Sequence, residues 1–175
     1  AYGKFLCDVL DLWTNMDKGR KFVQVIESAI GNLTRRPAGL CVHEAVCGHC
    51  AVVERGGDVY RCDRFVFDEY KIGNIHTNRL ADLAYCDRQF EFGISKRSSL
   101  PRDCRHCRHY TLCHGECPKH RFINDSTGEY GKNYLCDGYK LFFDHTERAM
   151  ERMKELILAG KPAAEIMNEP SSFPK

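Results

Sequence analysis

Eleven cysteines among 175 residues constrain this chain more than anything else in it, because most of them fall into two groups with tight internal spacing. The first group is Cys41-x5-Cys47-x14-Cys62. The second is Cys104-x2-Cys107-x5-Cys113-x3-Cys117, with eighteen residues between Cys117 and Cys136. Five thiols in the second group exceed the four ligands of an ordinary thiolate centre, and three in the first fall one short. Together they make eight, which is two complete four-cysteine sets, so two interleaved sites sharing the groups are the economical assignment. A secreted disulfide framework is the competing reading. The odd total argues against it, as does an opening without export character: Ala1 to Arg20 is amphipathic and carries Asp8, Asp11 and Asp17. That opening reads as mid-domain sequence, and we expect the chain to be part of a longer cytoplasmic protein.

Composition narrows the partners. Apolar residues make up 43% of the chain, enough for a modest core, and the formal net charge is only +2. Neither number favours nucleic acid or a membrane surface. No stretch approaches the roughly 18 apolar residues of a membrane span.

The chain divides into four parts. Residues 1–40 read as helical, with Phe5, Leu6, Val9, Leu10 and Trp13 on one face and Phe22, Ile26, Ile30 and Leu33 on another. Arg36-Pro37-Ala38-Gly39 ends that part. Residues 41–136 hold the cysteine groups and little long regular structure. One hairpin is legible there, Ala51 to Glu54 against Val59 to Cys62 around Gly56-Gly57, followed by a short helix over Asn78 to Tyr85. Residues 137–167 contain a helix from Leu141 to about Leu158, stopped at Gly160-Lys161-Pro162, and residues 168–175 read as a flexible tail. The expected fold class is α+β, small and metal-stabilised, with flanking helices around an irregular cysteine-rich core.

Spacing does not separate zinc from iron–sulfur, since both take soft thiolate ligands. Arg102, Arg105, His106, Arg108 and His109 surround the second group. They either offset the charge of a thiolate centre or form a solvated basic face; an aromatic ladder for nucleic acid is missing. His43, His49, His114 and His120 neighbour the cysteines and admit a mixed Cys/His zinc site, although eight thiols already complete both sets. Cys7 and Cys86 read as small buried apolar residues. Cys50, in Cys47-Gly48-His49-Cys50, is a competing ligand by spacing.

The pattern Cys47-x9-Gly57-x4-Cys62, then Cys104 to Cys117, then Cys136, resembles the SPASM domain of radical-SAM protein maturases. The resemblance narrows to anaerobic sulfatase-maturating enzymes at Gly39-Leu40-Cys41, Gly57-Asp58-Val59-Tyr60, Asp63, Tyr70-Lys71-Ile72-Gly73-Asn74 and Cys117-Pro118-Lys119. It implies two auxiliary 4Fe–4S clusters, the first on Cys41, Cys47, Cys62 and Cys117 and the second on Cys104, Cys107, Cys113 and Cys136. It also implies an oxidoreductase that converts a cysteine or serine of a sulfatase polypeptide to Cα-formylglycine, with Asp63 as the base that takes the substrate proton. The bland alternative for Asp63 is a hairpin cap or an ion pair with Arg61 or Arg64.

Two departures from the family pattern stand out. No CxxxCxxC occurs, since His120 follows Cys113-x3-Cys117 where a third cysteine would stand. The radical-generating cluster, S-adenosylmethionine and their N-terminal barrel are therefore expected on sequence outside these residues, along with contact to an electron donor such as flavodoxin. These residues alone should not start the reaction. Second, His114-Gly115-Glu116 stands where relatives often carry Gly-Gly. Two other readings stay open: a SPASM maturase of a different peptide, such as a thioether-forming enzyme, and a zinc-stabilised interaction or regulatory module.

Overall fold

Apolar residues at helical spacing build the two ends of the chain into one core, and the cysteine groups lie on smaller elements between them. The computed structural model describes residues 1–17, 21–48 and 50–168. Helices α1 (Tyr2–Leu12) and α2 (Gln24–Leu33) come first, followed by strands β1 (Val52–Val53), β2 (Asp58–Tyr60) and β3 (Lys71–Asn74). Four short or medium helices follow: α3 (Leu80–Ala84), α4 (Asp87–Ser98), α5 (Arg102–Arg105) and α6 (Tyr110–Cys113). The ribbon β4 (Ile123–Asn124) and β5 (Tyr130–Lys132) then leads into α7 (Cys136–Leu158), and a 3₁₀ stretch covers Ala163–Asn168.

The main core joins α1, α2 and α7. Leu6, Leu10 and Trp13 pack with Ile26, Ala29 and Ile30 against Phe142, Phe143, Met150, Met153 and Leu156, and Ile166 closes it from the 3₁₀ stretch. Cys7 is buried in the same cluster, as expected of a small apolar residue. Polar groups fix the helix pairing at its edges. His145 Nε2 lies 2.9 Å from Asp11 Oδ1, and the Tyr2 hydroxyl donates to that of Tyr139 at 3.2 Å. Phe5 and Phe22 depart from the expected faces. Both are exposed, and Phe22 precedes the first turn of α2 rather than riding on it.

The hairpin around Gly57 forms, with Val52 opposite Tyr60 and Val53 opposite Val59. Gly57 supplies the positive φ (+81°) that the turn requires. The expectation of a single hairpin is corrected in two places. β3 adds an antiparallel third strand, with Val59 opposite Gly73, and β4–β5 form a separate two-stranded ribbon. Their few residues carry too little alternation to be read as strands. Val59, Ile72 and Leu83 make a small second core, with Ala51 and half-buried Cys86 against it.

Helix α4 was not expected, and its composition explains why. Its buried stripe is Gln89, Phe92, Gly93 and Lys96, which has the spacing of a helix face but is half polar. The final helix starts at Cys136, five residues before the expected Leu141, where Asn133 Oδ1 accepts the Leu135 N–H at 2.6 Å. It ends at Leu158, and Gly160 follows at φ +75°. Of the expected tail, Asn168 ends the 3₁₀ stretch and the rest lies outside the described residues.

α1 and α7 approach closest at two glycines. A Cβ on Gly3 would meet Gly138 O at 2.5 Å and Gly138 Cα at 2.8 Å, both backbone atoms that no side-chain movement relieves. Alanine normally improves a helix interior by about 0.8–1.0 kcal/mol. Here the overpacking term, about 1–3 kcal/mol, wins. Gly3→Ala should therefore lower stability by up to about 2 kcal/mol in denaturant unfolding. Gly138→Ala should cost less, since its added Cβ comes no nearer than 3.1 Å. An unchanged Gly3→Ala midpoint would contradict this packing.

Candidate metal centres

The eight cysteines of the two groups stand around two separate cavities. Cys41, Cys47, Cys62 and Cys117 line the first, with Cys50 also on its wall, and Phe65, Phe92 and Pro118 supply apolar surface. Cys104, Cys107, Cys113 and Cys136 line the second, beside Tyr110, Tyr139 and Phe143. Short elements present these thiols. Cys41 opens a 3₁₀ turn, Cys62 follows β2, Cys104 sits in α5, Cys113 ends α6 and Cys136 begins α7. The thiols interact electrostatically within each set: Cys47 with Cys117 and Cys41, Cys62 with Cys117, Cys104 with Cys136 and Cys107, and Cys113 with Cys136 and Cys104.

The chain crosses from the second cavity to the first between Cys113 and Cys117, in three residues. All three are left-handed: His114 at φ +48°, Gly115 at +73° and Glu116 at +56°. Only glycine takes such angles freely, so the His-Gly-Glu sequence needs outside support. It has that support. His114 Nδ1 lies 2.8 Å from the His43 carbonyl, and Glu116 Oε2 lies 2.7 Å from both His120 Nδ1 and Asn133 Nδ2. Arg121 braces the same turn, donating to the carbonyls of His114, Gly115 and Glu116 at 2.8–3.0 Å.

Helix α4 holds the other side of the first cavity through its polar stripe. The Lys96 ammonium is fully buried and donates to the carbonyls of Cys41, Val42 and Glu44 at 2.7, 2.9 and 2.5 Å. Gln89 donates to Arg61 O at 3.0 Å, and Cys47 donates its N–H to Gly93 O at 3.1 Å. Lys96, Gln89 and Arg121 escaped the sequence reading. The available signal was the helical spacing of Gln89, Phe92, Gly93 and Lys96, which apolar patterning alone passes over.

Burial makes these thiols reluctant to ionise in the metal-free chain. It pushes Cys113 up to about 12 and Cys104 up to about 11. Cys62 reaches about 12 through burial and, against the Arg64 backbone N–H, the neighbouring Asp63 carboxylate. Asp63 is exposed and accepts a hydrogen bond from Cys62 Sγ at 3.2 Å, so its carboxylate stands against a thiol of the first set.

The surroundings fit a centre that needs thiolates. Lys96 and Arg121 are buried cations, and the described residues place no carboxylate within ion-pair distance of either. A buried cation without an anion is costly, and ionised thiols would supply the missing negative charge. Arg61, in the wall of the first cavity, holds a buried Nε donor with no partner among the described residues, suited to a sulfur acceptor. Among the described residues, no three Cys, His, Asp or Glu groups converge on a point that would hold one metal ion. Histidine ring nitrogens near the thiols bond elsewhere, although the buried His43 Nε2 has no partner among the described residues. His43 Nδ1 faces Ser28 Oγ at 3.1 Å, His109 Nε2 faces Asp144 at 2.8 Å, and burial lowers His43 to about 4. His49 lies outside the described residues. Of the basic residues around the second group, Arg105 pairs with Glu129 and Arg108 with Glu147.

Residues 41–108 match SPASM, an iron-sulfur cluster-binding domain. This middle part of the chain is thus similar to the SPASM class of cysteine-rich domains. Within that class the chain resembles the anaerobic sulfatase-maturating enzymes. It is 42% identical over 95% of its length to a serine-type anaerobic sulfatase-maturating enzyme of Bacteroides thetaiotaomicron, of which it covers 40%. A serine-type enzyme of Klebsiella pneumoniae is 36% identical over 81% of the chain, which covers 34% of that protein. A cysteine-type enzyme of Clostridium perfringens is 28% identical over 82% of the chain, which covers 39% of it. The chain therefore spans about two fifths of the curated relatives it matches. A solved structure described as native anSMEcpe with bound AdoMet and Kp18Cys peptide superposes with a TM-score of 0.74 at 26% identity, over 88% of this chain and 42% of that one.

The crossover generates a test. A Cβ at Gly115 would run into Leu100 Cδ2 and Arg121, and φ +73° disfavours any side chain there. Gly115→Ala should lower the stability of the anaerobically prepared protein by about 1–3 kcal/mol, measured by denaturant unfolding. Wild-type stability would show that the turn tolerates a side chain.

Proposed function

We propose that this chain holds two 4Fe–4S clusters and serves as the auxiliary electron-transfer part of a radical-SAM enzyme that matures sulfatases. Cys41, Cys47, Cys62 and Cys117 would ligate one cluster, and Cys104, Cys107, Cys113 and Cys136 the other. The observation that carries this reading is the sorting of the eight cysteines of the two groups into two sets of four around two cavities, with Cys50 a fifth thiol on the wall of the first. The match of residues 41–108 to an iron-sulfur cluster-binding domain favours clusters over zinc. The relatives named above are all sulfatase-maturating enzymes, which favours this substrate over another peptide.

The proposed reaction turns a cysteine or serine of a sulfatase polypeptide into Cα-formylglycine. After a 5′-deoxyadenosyl radical removes a Cβ hydrogen atom, the substrate loses one proton and one electron, which completes the aldehyde from serine; from cysteine the resulting thioaldehyde is hydrolysed by water with release of hydrogen sulfide. When bound, an iron–sulfur cluster supplies one-electron acceptance and transfer. The residues of this chain do the rest. The cysteines fix the centres, Phe65 and Phe92 keep the first cavity apolar, and Asp63 takes the proton at its edge. The 42%-identical relative is serine-type, and we assign serine as the residue acted on. S-adenosylmethionine and the third cluster would sit on a radical-SAM barrel elsewhere in the full protein. A reduced electron carrier such as flavodoxin would serve it in the cytoplasm. No described helix is long and apolar enough to cross a membrane.

Anaerobic reconstitution should give a brown, oxygen-sensitive protein with about eight iron and eight sulfide per chain, the sum of two four-iron clusters. Cys136→Ala should lose about half of that iron while Cys7→Ala keeps all of it. Equal loss in the two variants, or a wild-type protein that takes up zinc and never iron, would overturn the assignment. In the full-length enzyme, Asp63→Asn should slow formylglycine formation on a sulfatase-derived peptide by about 100-fold or more with iron content unchanged. Wild-type turnover would remove Asp63 as the base.

A further inference from the structure

Arg121 stands between the two thiol sets without lining either cavity. It is 6% exposed, and its guanidinium spends its donors on backbone oxygens alone. Nε donates to Gly115 O at 2.8 Å, Nη1 to Lys96 O at 2.6 Å, and Nη2 to His114 O at 3.0 Å and Glu116 O at 2.9 Å. Three of those carbonyls belong to the crossover that joins Cys113 to Cys117, and the fourth belongs to α4 beside the first cavity. The guanidinium is within electrostatic range of Cys104 and Cys113 in the second set and of Cys47 and Cys117 in the first. Lys96, the other buried cation, acts on Cys47, Cys41 and Cys117, which all belong to the first set.

We infer that Arg121 is a positioning residue shared by both centres, whose one buried positive charge raises the reduction potentials of the two clusters together. The inference rests on the two-cluster reading proposed above. One-electron reduction adds negative charge to a cluster and its four thiolates, so a nearby cation out of water favours the reduced form. A cation that faces both sets must bias both. Lys96 faces one set and biases only that one.

The test uses the full-length, anaerobically reconstituted protein and EPR-monitored redox titration of the two auxiliary clusters. Wild-type protein with both signals and full iron is the control; its failure would count against the two-cluster reading and leave the role of Arg121 out of the question. Given that control, Arg121→Gln should shift both midpoint potentials to more negative values. Arg121→Lys, which keeps the charge, should leave both closer to wild type than Gln does, and Lys96→Gln should shift the first cluster alone. Wild-type potentials in a fully loaded Arg121→Gln protein, or a shift in only one cluster, would overturn the inference. Should Arg121→Gln fail to hold iron, the metal content decides. Loss from both sites together, with iron restored at both by Arg121→Lys, supports a shared charge. Loss confined to one site, or no recovery with lysine, overturns it.

Discussion

Two buried cations facing two sets of thiols are the interaction on which the middle of this molecule depends. Lys96 and Arg121 are sequestered from water and bonded to backbone carbonyls, with no carboxylate in ion-pair reach among the described residues. The thiols around them are pushed upward by burial, so without metal the cations lack an anion and the cysteines lack a reason to ionise. The metal ligation proposed above would resolve both at once. It would make thiolates of the cysteines, and those thiolates would neutralise the cations. Much of the folding energy of residues 41–136 would then come from the same bonds that give the domain its proposed electron-transfer chemistry.

The rest of the fold serves to hold those groups in place. The core of α1, α2 and α7 is an ordinary apolar one and ends at Cys136, the first residue of α7 and a member of the second thiol set. α4 offers a rigid rail of polar groups to the irregular Cys41–Cys47 segment, where Gly93 lets the backbones meet: a Cβ there would lie 2.6 Å from Cys47 O. Such irregular backbone stays ordered where its carbonyls find buried donors. Lys96 alone satisfies three of them.

This division explains what was legible in the sequence. Helix faces made of Leu6, Leu10, Ile26 and Ile30 could be read from periodicity, because apolar burial is the signal that periodicity detects. The count of three and five thiols could be read for a similar reason, since ligand number is a chemical constraint independent of fold. α4 could not, because its buried face carries Gln89 and Lys96, whose burial is explained only by carbonyls distant in sequence. β3, β4 and β5 are too short for alternation to register. Phe5 and Phe22 followed the helical period and are nonetheless exposed; periodicity names a face, whereas burial requires something to cover it. The partition of cysteines between the sets was likewise invisible to spacing, because the chain switches sets inside a three-residue turn.

That turn makes the two centres mechanically inseparable. Cys113 and Cys117 belong to different cavities, and the residues between them have no slack: His114, Gly115 and Glu116 are all left-handed and all bonded through their carbonyls to one guanidinium. A displacement at Cys113 must pass through this turn to Cys117 or be absorbed by breaking those bonds. Charge follows the same route, since the guanidinium that braces the turn is also within electrostatic range of thiols in both sets. Two thiol sets thus share one backbone turn and one buried positive charge.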